Sequence, residues 1–331
     1  MSGLRSQESG SRPQASGSRP AVAVVVVDHD AGPVLGACLA SLVGAPVDDV
    51  VVVDNGCRLD PAPWVLEAVE RGVPVRLVRT GRNLGYGAGA NRGVAATDAE
   101  VVMVTNPDVE LHRGAVQILV GAVVDDPAVA VVGPRIMEAD GRRYPSARRF
   151  PSPLDALGHA LLGRWRPANR YSARYRMDDL VPSGPLRVDW VSGACFAARR
   201  EAWEELGGFD ESYFMYAEDM DLCWRAGRAG WAVVHHPGAA VTHVHGVSTS
   251  AHPYAMVLAH HRSALRFAWR TSTGWRRLLV PGAAAVLGAR VVTELARLSI
   301  GGARQTSSEH GDELARLAVA GVRHASPEHS D

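Results

Sequence analysis

The chain has 331 residues, 47% of them hydrophobic and 21% charged, which is enough apolar material for one large core or two modest ones. Its formal net charge is zero, so no overall basic field points to nucleic acid. The four cysteines include no Cys-x-x-Cys pair, which excludes a disulfide framework and a thiolate zinc site and favours a reducing cytosol.

The N-terminal residues 1–20 are rich in Ser, Gly, Arg, Gln and Pro and have no apolar core. This composition predicts a disordered tail and neither a signal peptide nor an anchor. No segment of the chain offers eighteen uninterrupted apolar residues, so we expect no membrane-spanning helix.

Strands and helices are predicted to alternate in the first third of the chain. The predicted strands are apolar, β-branched runs, at residues 21–27, 50–53, 75–79 and 101–105. The segments between them have helical spacing, at residues 34–43, 64–71 and 84–96. This alternation implies right-handed βαβ units and therefore an α/β fold with a mostly parallel, Rossmann-like sheet flanked by helices.

The later part of the chain is less regular. Residues 130–189 are rich in Arg, Pro and Tyr and are less regular, whereas residues 190–198 predict a strand. Helices are predicted at 201–206 and from about 218 to 230. Residues 251–270 then predict a basic helix, which an interrupted apolar segment follows.

Polar side chains gather where the predicted strands end, at Asp28-His29-Asp30, Asp54-Asn55, residues 79–83 and Asn106-Pro107-Asp108. The carboxyl ends of strands line the ligand crevice of an open α/β sheet, so this edge is expected to bind a nucleotide. Asp108 is well placed there to hold Mg²⁺ or Mn²⁺ against a diphosphate. A simple β-turn explains Asn-Pro-Asp as well.

Glu218-Asp219-Met220-Asp221 puts three carboxylates at a predicted helix start. Adjacent carboxylates raise one another's pKa, which suits a general base, although capping of the helix dipole accounts for the same pattern. His243 and His245 share one face of a predicted strand, which suits a metal or phosphate edge; one of them serving as a satisfied polar residue is the alternative.

A competing interpretation comes from Gly85-Tyr86-Gly87-Ala88-Gly89-Ala90, which matches the dinucleotide fingerprint G-x-G-x-x-A. Asp108, about twenty residues further on, fits the ribose-binding acid of an NAD(P)-dependent dehydrogenase. Against this, a complete βαβ unit precedes the glycines, whereas the fingerprint normally occupies the first turn.

The opening strand and a series of short segments together carry a resemblance to a known family. The short segments are residues 51–56, 83–87, 91–93, 106–109, 190–195, 207–211, 214–219 and 221–222. Their order resembles the family-2 inverting glycosyltransferases of the GT-A fold over about residues 20 to 280. The resemblance implies a GT-A catalytic domain over 21–250. In the helical segment over 251–300, apolar residues interleaved with Arg predict an interfacial, membrane-associating helix, and a helix packed on the catalytic domain is the alternative. The polar composition of 301–331 predicts a mostly disordered tail.

The resemblance also implies roles for individual residues. Asp219 matches the catalytic base, and Asp108 with His243 matches the metal site, with Asn106 in place of the first acid of the Asp-x-Asp motif. The residues assigned to the donor side are Asp28, His29, Asp54, Asn55, Asn83, Gly85 and Asn106. The residues assigned to the acceptor side are Trp190, Gly193 and Glu218. Asp28-His29-Asp30 departs from the family pattern, and His29 is the candidate for stacking on the base.

Within the family the chain is similar to actinobacterial rhamnosyltransferases that act on polyprenyl-diphosphate-linked N-acetylglucosamine. The segments that carry this similarity are residues 144–148, 165–175, 259–263 and 274–276. The implied partners are dTDP-L-rhamnose and a lipid-linked acceptor, with a divalent cation, Mg²⁺ or Mn²⁺, as cofactor. The implied location is cytoplasmic, peripheral at the inner face of the cell membrane.

Overall fold

The computed structural model describes residues 19–150, 182–244 and 253–296, together with isolated positions between 162 and 177 and residue 299. The predicted tails, most of the 165–175 segment and His245 lie outside the described residues.

The alternation predicted for the first third of the chain is confirmed. The strands there are β1 (Val22–Asp28), β2 (Asp49–Asp54), β3 (Val75–Arg79) and β4 (Val101–Thr105). The helices between them are α1 (Pro33–Ala40), α2 (Ala62–Glu70) and α3 (Tyr86–Val94). These strands pair in parallel in the order β3-β2-β1-β4, so their carboxyl ends meet at one edge.

The remaining elements extend this sheet and cover it. The further strands are β5 (Val109–Leu111), β6 (Val129–Glu138), β7 (Arg143–Tyr144), β8 (Ala147–Arg148), β9 (Leu186–Arg187), β10 (Trp190–Val191), β11 (Cys195–Arg199) and β12 (Ala232–His243). The further helices are α4 (Ala115–Asp125), α5 (Arg200–Leu206), α6 (Glu218–Arg228) and α7 (Pro253–Thr271). The main sheet continues from β4 through β11, β6 and β12 to β5, with β11 and β5 antiparallel to their neighbours.

Two expectations from the sequence are wrong. Residues 129–138 form the long strand β6, although the segment was expected to be irregular; Pro134 is tolerated there because the partner strand β12 has a register shift between His236 and Ala240. The strand expected at residues 190–198 is two strands, because β10 pairs with β8 in a small separate sheet before the chain turns and enters the main sheet as β11.

Helix α3 packs against the sheet through glycines that face the strands. A Cβ at Gly93 would come within 2.2 Å of the Val25 side chain, and one at Gly89 within 2.9 Å of Val27. Both valines belong to the core on this face of the sheet. The Gly/Ala-rich composition of the segment therefore serves close packing of helix on strand.

Beyond α7 the chain continues as a helical segment, Gly274–Ala296, which begins with a 3₁₀ turn at Gly274–Leu279. By length and composition this segment could cross a membrane, and only 6% of its most apolar window is buried against the protein. By length and composition, the expectation that the chain has no membrane-spanning helix is therefore wrong for this segment.

Candidate active site

The predicted binding edge is formed by the carboxyl ends of β1, β2, β3 and β4. Asp28 and Asp54 are register partners on neighbouring strands, and Arg79 is the partner of Asp54 on the next strand. The Asp28 carboxylate accepts hydrogen bonds from the Ala31 N–H (3.1 Å) and the Cys57 thiol (3.3 Å). Burial raises the pKa of Asp28, while these two hydrogen bonds lower it.

Asp54 is held from two sides. Arg79 donates to Asp54 Oδ2 over 2.8 Å, and the Cys57 N–H donates to Oδ1 over 2.8 Å. Beside it, the Nδ1 atom of His29 is buried and has no hydrogen-bond partner within the part of the chain that the structure describes. The crevice therefore offers a fixed carboxylate and a nearby imidazole, which suits recognition of a nucleotide base.

The loop between β3 and α3 is built around Asn55. Asn55 Nδ2 donates to the Gly85 carbonyl (3.0 Å), and Asn55 Oδ1 accepts from the Leu84 N–H (3.0 Å). Asn83 Oδ1 in turn accepts from the Gly85 N–H (2.9 Å). Asn55 is almost fully buried, so it positions this loop beside the crevice; direct contact of Asn55 or Asn83 with a donor stays a prediction.

Gly85 joins this loop to the segment that precedes the predicted base. Its φ is +90°, and a Cβ there would lie 2.3 Å from the Phe214 carbonyl oxygen. The Tyr86 N–H donates to that same oxygen over 3.0 Å. The loop can therefore approach residue 214 only because position 85 is glycine.

The glycines on which the competing dehydrogenase interpretation depends allow close contacts within the protein. They follow β3, the edge strand of the sheet, and not β1 in its interior. Gly85 closes on Phe214, and a Cβ at Gly87 would lie 3.0 Å from Phe209. The fingerprint therefore does not occupy the strand position at which an open α/β sheet binds a dinucleotide.

The predicted metal residues come together from distant parts of the chain. Asp108 follows β4 and His243 ends β12, and their Oδ1 and Nε2 atoms are 3.0 Å apart. Asn106 Nδ2 lies 3.3 Å from the same His243 nitrogen. Both Asp108 and His243 are mostly buried, with side-chain exposures of 11% and 8%.

This pair fits a divalent cation. Ligands at about 2.1 Å on neighbouring corners of an octahedron are separated by about 3.0 Å, and the observed separation of Asp108 Oδ1 and His243 Nε2 is 3.0 Å. Within the described ranges, no group of three or more His, Cys, Asp or Glu side chains is arranged to hold a metal. A cation bound by two protein ligands leaves positions for the oxygens of a diphosphate.

The predicted base lies in the first turn of α6. Tyr216 and Ala217 have left-handed φ values of 68° and 66°, and they turn the chain into the helix. Asp219 Oδ2 accepts from the Gly193 N–H and Oδ1 from the Met220 N–H, each over 2.7 Å. Burial raises the pKa of Asp219, and these backbone donors lower it, so the carboxylate is both desolvated and oriented.

Glu218, next to the base, is buried, and its Oε2 atom has no hydrogen-bond partner among the described residues. Burial, and then the charge of Asp219, raise the pKa of Glu218 above its ordinary range. An unpaired buried carboxyl oxygen is costly unless it meets a ligand or carries a proton.

The acceptor-side residues are all buried, and they differ in role. Gly193 binds Asp219 through its N–H and accepts a hydrogen bond from the Tyr86 hydroxyl at its carbonyl (2.7 Å). A Cβ at Gly193 would lie 3.0 Å from the Asp219 Cβ. Trp190 is buried, and its Nε1–H donates to the Arg149 carbonyl (3.2 Å), so it forms part of the wall behind Gly193.

A buried charge network was missed in the sequence. Asp221 and Arg225 have the spacing of a surface pair, yet Asp221 is fully buried. Arg225 binds it over 2.7 Å, and Arg270 of α7 approaches it at 3.2 Å and also bonds to Asp210. Helix spacing predicts the Asp221–Arg225 pair, but contact with α7 depends on tertiary structure.

Comparisons with known proteins agree with this geometry. A family profile described as "Glycosyltransferase like family 2" matches residues 20–265. An N-acetylglucosaminyl-diphospho-decaprenol L-rhamnosyltransferase of Mycobacterium tuberculosis is 42% identical over 268 residues, which are 77% of this chain and 86% of that one. A pre-mycofactocin glycosyltransferase of the same organism is 31% identical over 59% of this chain and 37% of that one.

Solved structures show the same fold. The mannosyltransferase PcManGT from Pyrobaculum calidifontis, in complex with GDP-Man and Mn²⁺, matches with a TM-score of 0.53 and 18% identity over 87% of this chain and 81% of that one. GalNAc-T7 with UDP, GalNAc and Mn²⁺ matches with a TM-score of 0.52 and 15% identity over 70% and 45%. The predicted GT-A fold, with its mostly parallel sheet and C-terminal helices, is thereby confirmed.

Proposed function

The chain belongs to glycosyltransferase family 2, and on that basis we propose that it transfers L-rhamnose from dTDP-L-rhamnose to polyprenyl-diphosphate-linked N-acetylglucosamine. The predicted enzyme class, an inverting glycosyltransferase, is confirmed, and the dehydrogenase alternative finds no support. The transferred sugar and the acceptor follow from the name of the 42% identical relative, whose sequence this chain matches over most of both lengths. The dTDP carrier of the sugar is our own proposal, which the family resemblance supports.

One observation carries the proposal: a short chain of contacts joins the candidate metal pair to the candidate base. The Asn106 N–H, two residues before Asp108, donates to the Ala194 carbonyl over 2.8 Å. The neighbouring Gly193 N–H binds the Asp219 carboxylate over 2.7 Å. A diphosphate held at Asp108 and His243 would therefore place its sugar on the side of the crevice where Asp219 lies.

The proposed reaction is a single displacement. Asp219 takes the proton of an acceptor hydroxyl while the oxygen of that hydroxyl bonds to the anomeric carbon of the donor. The bond between the anomeric carbon and the diphosphate oxygen breaks at the same time, and its electron pair leaves with the nucleoside diphosphate. Asp219 ends protonated, and the anomeric configuration is inverted. When bound, a divalent cation at Asp108 and His243 would offset the charge on the departing nucleoside diphosphate.

The surroundings of Asp219 support its role as base. Its two oxygens are held by the Gly193 and Met220 N–H groups, so the carboxylate is oriented before the acceptor arrives. Glu218 and the Gly193 backbone lie beside it, and we assign them to positioning the acceptor. Asp28, His29 and Asp54 at the strand ends are assigned to the nucleotide.

We place the enzyme at the inner face of the cell membrane. The helical segment Gly274–Ala296 exposes Trp275 (68%) and Leu278 (81%), and Arg276 and Arg277 lie between them. Aromatic and aliphatic side chains interleaved with Arg suit contact with an anionic lipid surface, where a lipid-linked acceptor is found.

A donor screen tests the proposal. Nucleotide-sugars and NADH are added with and without Mn²⁺ or Mg²⁺, and protection against thermal unfolding is measured. We expect dTDP-L-rhamnose with metal to stabilise the protein most, and Asp108→Ala to abolish the metal-dependent part. Stabilisation by another nucleotide-sugar in preference to dTDP-L-rhamnose would overturn the proposed donor, and stabilisation by NADH alone would overturn the nucleotide-sugar assignment.

A further inference from the structure

The segment Tyr144-Pro145-Ser146-Ala147-Arg148 has no role in the site described so far, although it carries part of the resemblance to rhamnosyltransferases. Its centre is anchored in the core. Ser146 is buried, its hydroxyl donates to the Pro134 carbonyl (2.9 Å), and it accepts from the Ile136 N–H (3.4 Å). Strand β8 is thereby fixed to β6 of the main sheet.

This anchoring holds the Arg148 guanidinium in a defined place. Arg148 Nε donates to the Pro145 carbonyl and Nη2 to the Tyr144 hydroxyl, each over 2.8 Å. The same group lies 4.9 Å from the Trp190 ring centre and 5.4 Å from that of Tyr144. Stacking and hydrogen bonds together restrain a side chain whose charge is permanent.

The pairing of β8 with β10 brings this cation towards the base. Arg148 is the register partner of Trp190, and the Ser192 N–H donates to the Ser146 carbonyl over 2.9 Å. The next residue, Gly193, binds Asp219. The pairing therefore puts Arg148 and the Gly193 N–H, which binds Asp219, on neighbouring segments of the same small sheet.

The electrostatics of Asp219 agree with this placement. Burial raises the pKa of Asp219, whereas its backbone donors and then the charge of Arg148 lower it. The titratable groups of the same region include Glu218, Tyr86 and Cys223. Further charges there come from Asp108, Asp221 and Arg225; Arg225 acts on Cys223, whereas Arg148 acts on Asp219 itself. Arg148 thus opposes the effect of burial, which favours protonation of the base.

We propose that Arg148 is a positioning residue for the transfer reaction. Its guanidinium, held between Tyr144 and Trp190 on the strand that pairs with β10, supplies positive charge to the base at Asp219 and so sets the lower pH limit of turnover. The inference rests on the proposed function, in which Asp219 must accept a proton.

The pH profile of kcat/KM tests this role. In Arg148→Gln the acid limb should move to higher pH by about half a unit or more, with activity recovering towards the wild-type value above the limb. Arg148→Lys keeps the charge and should restore the limb. The matched control is Arg149→Gln, which removes the same charge from the exposed neighbouring residue and should leave the limb in place.

A merely structural role would lower activity at every pH without moving the limb, and that result would overturn the inference. An equal shift in Arg149→Gln would also overturn it, because net charge alone would then account for the effect. Wild-type turnover with another donor would contradict the proposed donor and leave the pH comparison intact.

A second measurement does not depend on turnover. In Asp219→Cys, the pH dependence of alkylation of the thiol at position 219, read peptide by peptide in a mass spectrometer, reports its pKa. Adding Arg148→Gln should move half-maximal alkylation to higher pH, and adding Arg149→Gln should not. An unchanged alkylation profile in the Arg148→Gln background would overturn the inference.

Discussion

Glu218 and Asp219 place two carboxyl groups side by side in the first turn of α6, where burial disfavours the charged form of each. Their surroundings differ. Asp219 has two backbone donors, whereas Glu218 Oε2 has no partner in the described part of the chain. Unequal solvation of this kind separates a group that ionises from one that stays protonated.

Replacement of Glu218 should stabilise the protein at neutral pH. The pKa of Glu218 is higher in the folded than in the unfolded protein. Ionisation of Glu218 therefore costs no stability at a pH below its ordinary pKa of 4.5. The cost grows as the pH rises from 4.5 to the folded-state pKa and is complete above the folded-state pKa. Glu218→Gln should therefore raise Tm by about 1 to 3 °C at pH 8, and the gain should vanish near pH 4. Thermal unfolding across pH measures this; a gain that persists at pH 4 would contradict the assignment.

Removal of the base should separate binding from chemistry. Asp219→Asn keeps the shape of the side chain but cannot take a proton, so kcat should fall by about 10² to 10⁴-fold. The dissociation constant of the donor, measured by calorimetry, should stay within about twofold of the wild-type value. Near-native turnover of Asp219→Asn would show that another group is the base.

The two-residue metal site makes a prediction of its own. Asn106 Nδ2 lies 3.3 Å from His243 Nε2. A carboxylate at position 106 would therefore add a third protein ligand beside Asp108 and His243. Asn106→Asp should tighten Mn²⁺ binding by about tenfold, and the control Asn106→Ala should not. Titration with Mn²⁺ monitored by paramagnetic relaxation measures this, and equal affinities in Asn106→Asp and wild type would place the metal elsewhere.

At the scale of single residues, sequence patterns identified groups but not their contacts. Asp108 was expected at a strand end from the local pattern, whereas its 3.0 Å approach to His243 joins residues far apart in the chain. Asn55 was assigned to the donor side, which stays a prediction, and the pattern did not show that its amide binds the loop at Gly85. Nothing in a local pattern shows which polar groups a side chain meets after folding.

At the scale of elements, the loop after β3 and the segment before α6 contact each other through one backbone oxygen, that of Phe214. Gly85 permits that approach, so the donor side and the base side of the crevice are mechanically connected. A change at position 85 should therefore affect both sides together.

Gly85→Ala tests this connection, and Gly81→Ala is its matched control. Both glycines have left-handed φ (+90° and +76°), but a Cβ at Gly85 meets the Phe214 carbonyl at 2.3 Å and one at Gly81 meets nothing within 4 Å. Gly81→Ala should cost about 1 kcal/mol from backbone strain alone. Gly85→Ala should cost clearly more and should weaken donor affinity and kcat together; equal unfolding free energies would contradict the role assigned to the contact.

Elements with a strong local pattern were predictable, and those defined by distant pairing were not. The β-branched runs of β1 to β4 signal buried strands by themselves. The Gly133-Pro134 pair inside β6 argues against a strand, and only the irregularity of β12 opposite it makes the strand compatible with proline. The division of residues 190–198 depends on the pairing of β10 with β8, which the pattern does not show.

At the scale of the whole molecule, α7 ties the C-terminal region to the catalytic segment. The Ser263 hydroxyl donates to the Met215 carbonyl over 2.8 Å, and Arg270 approaches the buried Asp221 at 3.2 Å. The following segment, Gly274–Ala296, has almost no such packing. Helix α7 thus contacts the segment that carries the candidate base and leads along the chain into the exposed apolar helix, an arrangement that suits the proposed lipid-linked acceptor.

Deletion of the residues beyond Thr273 should separate membrane contact from the catalytic domain. Because so little of Gly274–Ala296 is buried, the shortened protein should keep its thermal stability and its donor binding. It should lose co-sedimentation with vesicles that contain anionic lipid. Undiminished co-sedimentation of the shortened protein would place the lipid contact on another surface.

The most direct test of the central claim is transfer in a defined system: dTDP-L-rhamnose, polyprenyl-diphosphate-linked N-acetylglucosamine and Mn²⁺, with the lipid-linked product analysed by mass spectrometry and NMR. We predict that wild type adds one rhamnosyl group with inverted anomeric configuration, that chelation of the metal stops the reaction, and that Asp219→Asn gives product at a rate lower by about 10² to 10⁴-fold. Product with retained configuration, or undiminished turnover by Asp219→Asn, would contradict the account.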